Sequence, residues 1–389
     1  MTGLRIAHSF DVWLPSTMTW AATQVGAARV DEAIVLAEST ENLDQFPFSL
    51  LYTTTGLGAA AVKATKRAHL RAYPPSYARA LKRHRPQILH SHFGYRGWSD
   101  LPLVRRHRLR HVVTFYGQDV TMYPRRWPVW RSRYAELFAA VDLVLCEGPF
   151  MASTIAGLGC PETKLQVQRL GVDVDRVPSR PRTLAPGESV RVLIAGAFRA
   201  KKGIPAALEA VAAARDRGAD LRVTVVGASN GSPGEEAERR RIQDVVHSRR
   251  LDDIVTFTGM IPYERLLDEL PRHHIFLSPS RTAPDGDSEG GAPVAIIEAA
   301  ASGMPVVSTT HCDIPQIVDH GRTGLLAPEG DQDALAGCLW AMLEGPDRWP
   351  EMGAAAGRLA RERFDMRRCA EELVGRYLAL LGRMAPEGL

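Results

Sequence analysis

Residues 278–310 read SPSRTAPDGDSEGGAPVAIIEAAASGMPVVSTT, and their order of residue types decides the architecture. An apolar run, IFLSPS (275–280), ends in a Gly/Asp loop. A helical run follows from Pro293, then Ser302-Gly-Met-Pro, then a second apolar run, PVVST (305–309). A strand–loop–helix–strand connection of this length belongs to parallel strands joined by a crossover helix. The loop also has ligand chemistry. Gly290 and Gly291 carry no Cβ, so their backbone N–H groups can approach a ligand closely. Pro293 suits the first turn of a helix, where a missing N–H costs little. The helix start offers free N–H donors and a positive dipole end, which favours phosphate. Glu289 stands at the mouth of that nest. Glu298 lies inside the helix, where a carboxylate can accept two hydrogen bonds from neighbouring hydroxyls such as those of a ribose.

The same alternation extends outward over the 389 residues. Strands are expected at 4–10, 33–37, 87–93, 111–116, 143–147 and 164–170. In the second half they are expected at 190–198, 222–227, 254–259, 275–280 and 305–309. Helices are expected at 204–217, 234–249, 263–270, 293–302 and 332–344. The Pro-, Ser- and Arg-rich PSRPRTLAPGES (178–189) interrupts the pattern. The chain is therefore α/β, with two Rossmann-like parallel-sheet domains, 1–180 and 181–365, facing a cleft. An amphipathic helix within 366–389 closes the chain. Ligands of such sheets bind at the C-terminal ends of the strands.

Hydrophobic residues make up 45% and charged residues 24%, a globular balance that excludes a mostly disordered chain. No run of about 18 uncharged apolar residues suggests a membrane span, and the N-terminus lacks the apolar core of a signal peptide. Five widely spaced cysteines without CxxC spacing read as reduced thiols in a cytoplasmic protein. Charge is uneven: residues 1–180 carry 23 Lys+Arg against 14 Asp+Glu, and residues 181–389 carry 25 against 30. Most of the excess lies in 63–133, densest in VKATKRAHLRAYPPSYARALKRHRP (62–86). That is either a face for an anionic partner, such as lipid headgroups or an acidic acceptor, or a set of solvated helix surfaces. No aromatic-interleaved basic module points to nucleic acid. GxGxxG, the P-loop, HExxH, GxSxG and the protein-kinase motifs are all absent.

The run Glu289-Gly-Gly-Ala-Pro293…Glu298-Ala-Ala-Ala-Ser-Gly303-Met-Pro305-Val-Val resembles the signature of the family-4 (group 1) retaining glycosyltransferases of the GT-B fold. The resemblance continues in DIPQIVDHGRTGLLAP (313–328), RLGVDVDRV (169–177) and VLIAGAFRAKKG (192–203). Eight residues separate the two glutamates where the family has seven, which places the extra residue at Gly291 or Ala292. The resemblance implies that the second domain binds a nucleotide-diphosphate sugar, with Lys202 on the pyrophosphate. The family's Arg position is Ala197 here, and Arg199 is the substitute cation. Lys201 is expected to be solvated. Glu298 would hold the ribose hydroxyls. Glu289 would lie near the sugar ring with the Gly290, Gly291 and Ala292 amides, and the backbone around Met260 would meet the base. In TFYGQDV (114–120) Tyr116 replaces a family His that reaches the donor sugar. Asp119 reads first as a helix cap. Thr17, Trp20 and His92 are candidates for acceptor contacts, with His90 and His92 equally readable as structural. The final helix is expected to cross back to the first domain.

The implied reaction is retaining hexosyl transfer from a nucleotide sugar, UDP- or GDP-linked, to a hydroxyl. The acceptor is expected to be lipid-linked or otherwise anionic, with peripheral membrane contact through the basic domain, or a small molecule. Neither a cofactor nor an essential metal is expected; Asp285-Gly286-Asp287 has a metal-binding form but sits beside the donor nest. Two alternatives stay open: a catalytically weak sugar-nucleotide-binding partner in a polysaccharide assembly, and a GT-B sugar-nucleotide epimerase.

Overall fold

The computed structural model describes residues 3–15, 18, 20–54, 71 and 73–383. Thr17 and much of the densest basic run lie outside the described residues. The chain forms two compact units, Met1–Gly171 with Met366–Leu389, and Val172–Asp365.

The first unit carries seven strands: β1 (Arg5–Trp13), β2 (Glu32–Thr40), β3 (Leu51–Thr53), β4 (Ile88–His92), β5 (Arg110–Phe115), β6 (Leu143–Cys146) and β7 (Leu165–Val167). They lie in the order β3-β2-β1-β4-β5-β6-β7, and every pair is parallel. The order reverses between β1 and β4, the position where open α/β sheets bind ligands. The last helix, Met366–Leu380, belongs to this unit. Its Leu373, Val374, Tyr377 and Leu378 are buried with Leu4, Ile6, Ile88, Val112 and Leu145.

The second unit carries β8 (Val190–Ala195), β9 (Leu221–Val226), β10 (Val255–Gly259), β11 (Ile275–Ser278), β12 (Val306–Thr309) and β13 (Gly324–Ala327), in the parallel order β10-β9-β8-β11-β12-β13. Side chains alternate between two cores, as a sheet covered on both faces requires. Ile275 and Leu277 pack with Val192, Ile194 and the helices Ile204–Asp216 and Gln332–Glu344. Phe276 between them packs with Leu193, Val306 and the helices Val294–Ala301 and Trp349–Phe364.

The units part at Gly171/Val172, upstream of the expected break at 180. Val172, Val174 and Val177 are buried with Phe364 in the second unit's core, and the Val172 N–H donates to Phe364 O at 2.8 Å. The Pro/Ser/Arg-rich stretch is likewise no solvated linker throughout. Arg182 is 1% exposed, and its guanidinium donates to the carbonyls of His273 (2.8 Å), Leu270 (3.0 Å) and Ser302 (3.0 Å). Among the described residues no helix is long and apolar enough to cross a membrane.

Truncating Arg182 removes a donor from each of those buried carbonyls, and a buried acceptor left unsatisfied costs about 1–3 kcal/mol. Arg182→Ala is expected to destabilise the second unit by about 3 kcal/mol or more in urea denaturation. An unchanged midpoint would show that water replaces the guanidinium at no cost.

Candidate functional site

Four loops meet at the C-terminal edge of the second sheet, after β8, β11, β12 and β13. After β8 the chain passes Gly196–Arg199, makes a 3-10 turn at Ala200–Lys202, and turns left-handed at Gly203, with φ +64°. A Cβ at Gly203 would lie 2.1 Å from the Pro279 carbonyl oxygen, so only glycine lets this turn press against the loop after β11. The Arg281 N–H then donates to Lys201 O at 2.8 Å.

That contact brings three cations onto the acidic loop. Lys202 Nζ lies 2.9 and 3.0 Å from the two carboxylate oxygens of Glu289. Lys201 Nζ donates to Ser288 O at 2.8 Å and lies 3.3 Å from Asp287 Oδ1 and 3.8 Å from Glu289 Oε2. Arg199 Nη2 donates to Asp287 Oδ2 at 2.6 Å. Lys201 is 8% exposed, which corrects the expectation of a solvated side chain: the 3-10 turn aims it inward. Ser280 Oγ donates to Glu289 Oε1 at 3.0 Å. His311, after β12, donates from Nδ1 toward Glu329 Oε2 at 2.7 Å, which leaves Nε2 to accept the Glu289 N–H at 3.2 Å. Glu329 Oε1 accepts the Thr282 N–H at 2.6 Å.

The two glutamates of the motif titrate in opposite directions. Burial pushes the Glu289 carboxyl up, but Lys202 and Lys201 outweigh it and hold the group at about 2. Glu298, in the helix Val294–Ala301, is 4% exposed, and its one side-chain hydrogen bond among the described residues comes from the Tyr263 hydroxyl at 2.8 Å. Burial pushes it up to about 7 against that hydrogen bond. Pro293 precedes the helix as its N-cap residue, with φ −57° and ψ 132°, rather than forming its first turn. Gly290 has φ +80°, a conformation that favours glycine. Ala292 packs into the core beside Ile296, so its side chain is spent on folding. Met260 is 51% exposed just after β10. Asp285 and Asp287 are engaged within the loop, since Asp285 Oδ1 accepts the Asp287 N–H at 3.1 Å.

In the first unit, Tyr116 follows β5 with its hydroxyl 2.6 Å from His92 Nδ1, and the Trp20 ring lies 4.8 Å away. His92 is fully buried and its Nε2 faces His8 Nδ1 at 3.1 Å. This corrects its expected acceptor contact: neither ring nitrogen is open to a ligand. His90 is engaged in the same way, with Nδ1 on the Tyr377 hydroxyl and Nε2 on Thr114 Oγ1, both at 2.6 Å. The ligand atoms of His8, His90 and His92 lie within 4.8 Å of one another, and all three rings are buried and hydrogen-bonded within the unit. Asp119 gathers the N–H groups of Gly94 (2.7 Å), Tyr116 and Gly117 (both 3.1 Å), the work of a backbone cap.

Sequence reasoning missed Tyr263, His311 and Glu329, and read Asp287 only as part of a metal-like Asp-Gly-Asp rather than as the partner of Arg199 and Lys201. Tyr263, His311 and Glu329 lie outside the stretch 278–310, and the alignment of strand ends in the sheet brings them to it.

Two family models cover most of the chain: "Glycosyl transferases group 1" matches residues 189–345 and "Glycosyltransferase Family 4" matches residues 27–176. The chain is 34% identical over 251 residues to the putative colanic acid biosynthesis glycosyltransferase WcaL of Salmonella typhimurium, covering 64% of this chain and 59% of that protein. It is 33% identical over 276 residues to the amylovoran biosynthesis glycosyltransferase AmsK of Erwinia amylovora, covering 70% and 65%. The matches thus span less than two thirds of those relatives' length. Among solved structures, Anabaena Alr3699/HepE in complex with UDP and glucose superposes with a TM-score of 0.78 at 16% identity, covering 97% of this chain and all of that one. Sucrose-phosphate synthase from Thermosynechococcus elongatus superposes with a TM-score of 0.75 at 18% identity, covering 97% and 99%. At these identities the likeness establishes the GT-B fold.

The raised Glu298 has a definite linkage sign. Its folded value of about 7 exceeds the ordinary 4.5, so the protonated group stabilises the fold fully below 4.5, and that contribution is lost as pH rises through 7. The loss is on the order of 3 kcal/mol. Glu298→Gln is expected to flatten urea-denaturation stability over this interval; a slope retained by the variant would assign it to another group. Glu289 acts oppositely, its ion pairs stabilising above 4.5 and failing as pH falls toward 2.

Proposed function

We propose, since the chain belongs to the group 1 glycosyltransferases of the GT-B fold, that it moves a hexosyl unit from a nucleotide-diphosphate sugar to a hydroxyl acceptor with retention at the anomeric carbon. The observation that carries the reading is the meeting of Lys202 and Lys201 with Glu289, and of Arg199 with Asp287, at one sheet edge beside a helix start. Three cations in a half-buried loop suit a leaving group that gains negative charge as the sugar departs. Without donor, Glu289 and Asp287 hold those cations in place; a diphosphate would compete for Lys202 and Arg199, the two with more exposed side chains.

In this reading the anomeric carbon–phosphate oxygen bond breaks as the acceptor oxygen bonds to the same face of the sugar. The departing phosphate oxygen takes the hydroxyl proton. Lys202, Lys201 and Arg199 stabilise that phosphate, so we assign its charge to side chains rather than to a metal. Glu289 and the Gly290–Ala292 backbone flank the sugar, Glu298 accepts the ribose hydroxyls, and the backbone at Met260 meets the base. By the family resemblance we assign Tyr116 to the donor sugar and Trp20 to the acceptor. The donor is a UDP- or GDP-sugar: the Anabaena neighbours were solved with UDP and UDP-glucose, and mycobacterial relatives are named GDP-mannose-dependent mannosyltransferases. The names of the colanic acid and amylovoran relatives favour a role in polysaccharide synthesis, and the positive excess of residues 1–180 favours a lipid-linked or anionic acceptor.

The test is a thermal-shift series with UDP, GDP, ADP, dTDP and their common sugar conjugates. A ligand at about 100 times its Kd adds about 2.7 kcal/mol to the folded state. One nucleotide is expected to raise Tm, with the shift lost in Lys202→Ala and Glu298→Ala. Lys202→Ala is also expected to lower turnover of that donor by about 100- to 1,000-fold. No shift with any nucleotide would overturn the reading.

A further inference from the structure

The basic excess of residues 63–133 has no part in donor binding, and its described portion contains one apolar point. The helices Tyr123–Arg126 and Val129–Ala140 are joined through Trp127 and Pro128. Residues 125–129, Arg-Arg-Trp-Pro-Val, are all exposed, with Trp127 at 42% and Val129 at 48%. Single exposed apolar side chains are ordinary, but Trp127 and Val129 stand two residues apart in one exposed turn and form an apolar point together. Here arginines flank them: Arg125 and Arg126 before, Arg131 after. Among the described residues no carboxylate lies within ion-pair distance of these three, and from Val120 to Ala135 the sequence contains no Asp or Glu.

The tip is rigidly mounted. Tyr123 meets Trp127 edge-on with centroids 5.1 Å apart, stacks on Tyr95 at 5.0 Å, and lies 5.8 Å from Trp130. Trp130 in turn packs on the buried Tyr134 at 5.5 Å. Pro128 fixes the backbone between the helices. Trp127 is therefore held outward by an aromatic prop, and Arg126 covers its ring at 5.0 Å from the centroid. An indole and a valine projecting among guanidinium groups that have no carboxylate partner among the described residues match the boundary of an anionic bilayer, where the apolar tip enters the headgroup layer and the arginines meet phosphates.

We propose that the Arg125–Arg131 turn of the first unit docks this protein on an anionic lipid surface. The inference stands apart from the donor reading, since it uses no residue of the second unit, and it uses none of the acceptor candidates Thr17, Trp20 and His92.

The test is sedimentation of the intact protein with vesicles of phosphatidylcholine alone or with 30% phosphatidylglycerol, at 0.1 M and 0.5 M NaCl. Binding is expected only to the anionic vesicles and is expected to fall steeply at high salt. Arg125→Ser/Arg126→Ser is expected to weaken partitioning by on the order of 30-fold. Trp127→Ser/Val129→Ser is expected to weaken it by about 10-fold or more, and its Trp-to-lipid quenching by brominated lipid is expected to drop. Lys82→Ser/Arg83→Ser, with the same charge loss on an exposed helix elsewhere in the unit, is the control and is expected to retain most binding. Thermal melts confirm that each variant folds. Equal losses in the control and in Arg125→Ser/Arg126→Ser would replace a docking turn by a diffuse field. Absence of vesicle binding, or binding to heparin alone, would overturn the proposal.

Discussion

The second unit's site depends on one close approach, the left-handed turn of Gly203 against the Pro279 carbonyl. Any side chain there would have to drive two loops apart, because the obstructing atom is backbone and cannot swing away. With the loops in contact, consecutive residues of a single 3-10 turn send Lys201 and Lys202 onto the same acidic segment. The cations owe their convergence to backbone packing rather than to mutual attraction, which for three like charges would be repulsive. The carboxylates of Asp287 and Glu289 offset that repulsion, and Ser280 and His311 hold the Glu289 end of the segment.

The motif's two glutamates, separated by little more than two helical turns of chain, occupy opposed environments. Glu289 is buried among ammonium groups and stays ionised. Glu298 is buried with the Tyr263 phenol as its one side-chain hydrogen-bond partner among the described residues, so ionisation is costly there. The contrast assigns different work to each: a permanent negative charge that holds cations in register, and an acceptor whose ionised form gains from additional hydroxyl donors. A ligand supplying two hydroxyls to Glu298 would lower the cost of ionising it, so hydroxyl binding and proton release at this position are coupled.

Most of the fold was legible because buried parallel strands read as continuous apolar runs, and eleven of them could be placed from the sequence. The two that escaped were β3, Leu51–Thr53, and β13, Gly324–Ala327, both short edge strands whose residues carry no period of their own. The unit boundary was displaced because Val172, Val174 and Val177 alternate with Asp173 and Asp175 in a stretch that sequence alone cannot assign to either core. In the site, Lys202, Glu289 and Glu298 were legible from motif spacing. Lys201 was not, since nothing in Ala-Lys-Lys-Gly tells which lysine faces inward until the 3-10 turn is known. His92 was misplaced for a related reason: a strand-end histidine reads as a site residue, whereas β1 and β4 pair in a register that sets His8 beside His90 and buries all three rings.

The first unit's positive excess follows from how its acids are spent. Arg96, 4% exposed, binds Asp100 at 3.0 Å, Glu38 at 2.8 Å and Asp11 at 3.4 Å, so one buried guanidinium draws three carboxylates inward. Asp119 is committed to backbone N–H groups, Glu136 to Arg71 and the Trp98 indole, and Asp142 to Arg110 and the His111 N–H. With Asp11, Glu38, Asp100 and Asp119 tied to internal tasks, and Glu136 and Asp142 already paired with Arg71, Arg105 and Arg110, few acids remain to neutralise the other surface arginines. The surface excess is thus tied to folding this unit around a buried cation. Val120–Ala135 is one acid-free stretch of it, and that stretch also projects the exposed indole of Trp127. A positive field with an apolar point at its centre is selective in a way that charge alone is not: a soluble polyanion can satisfy the arginines but leaves Trp127 and Val129 in water, whereas an anionic surface with a hydrocarbon interior satisfies both.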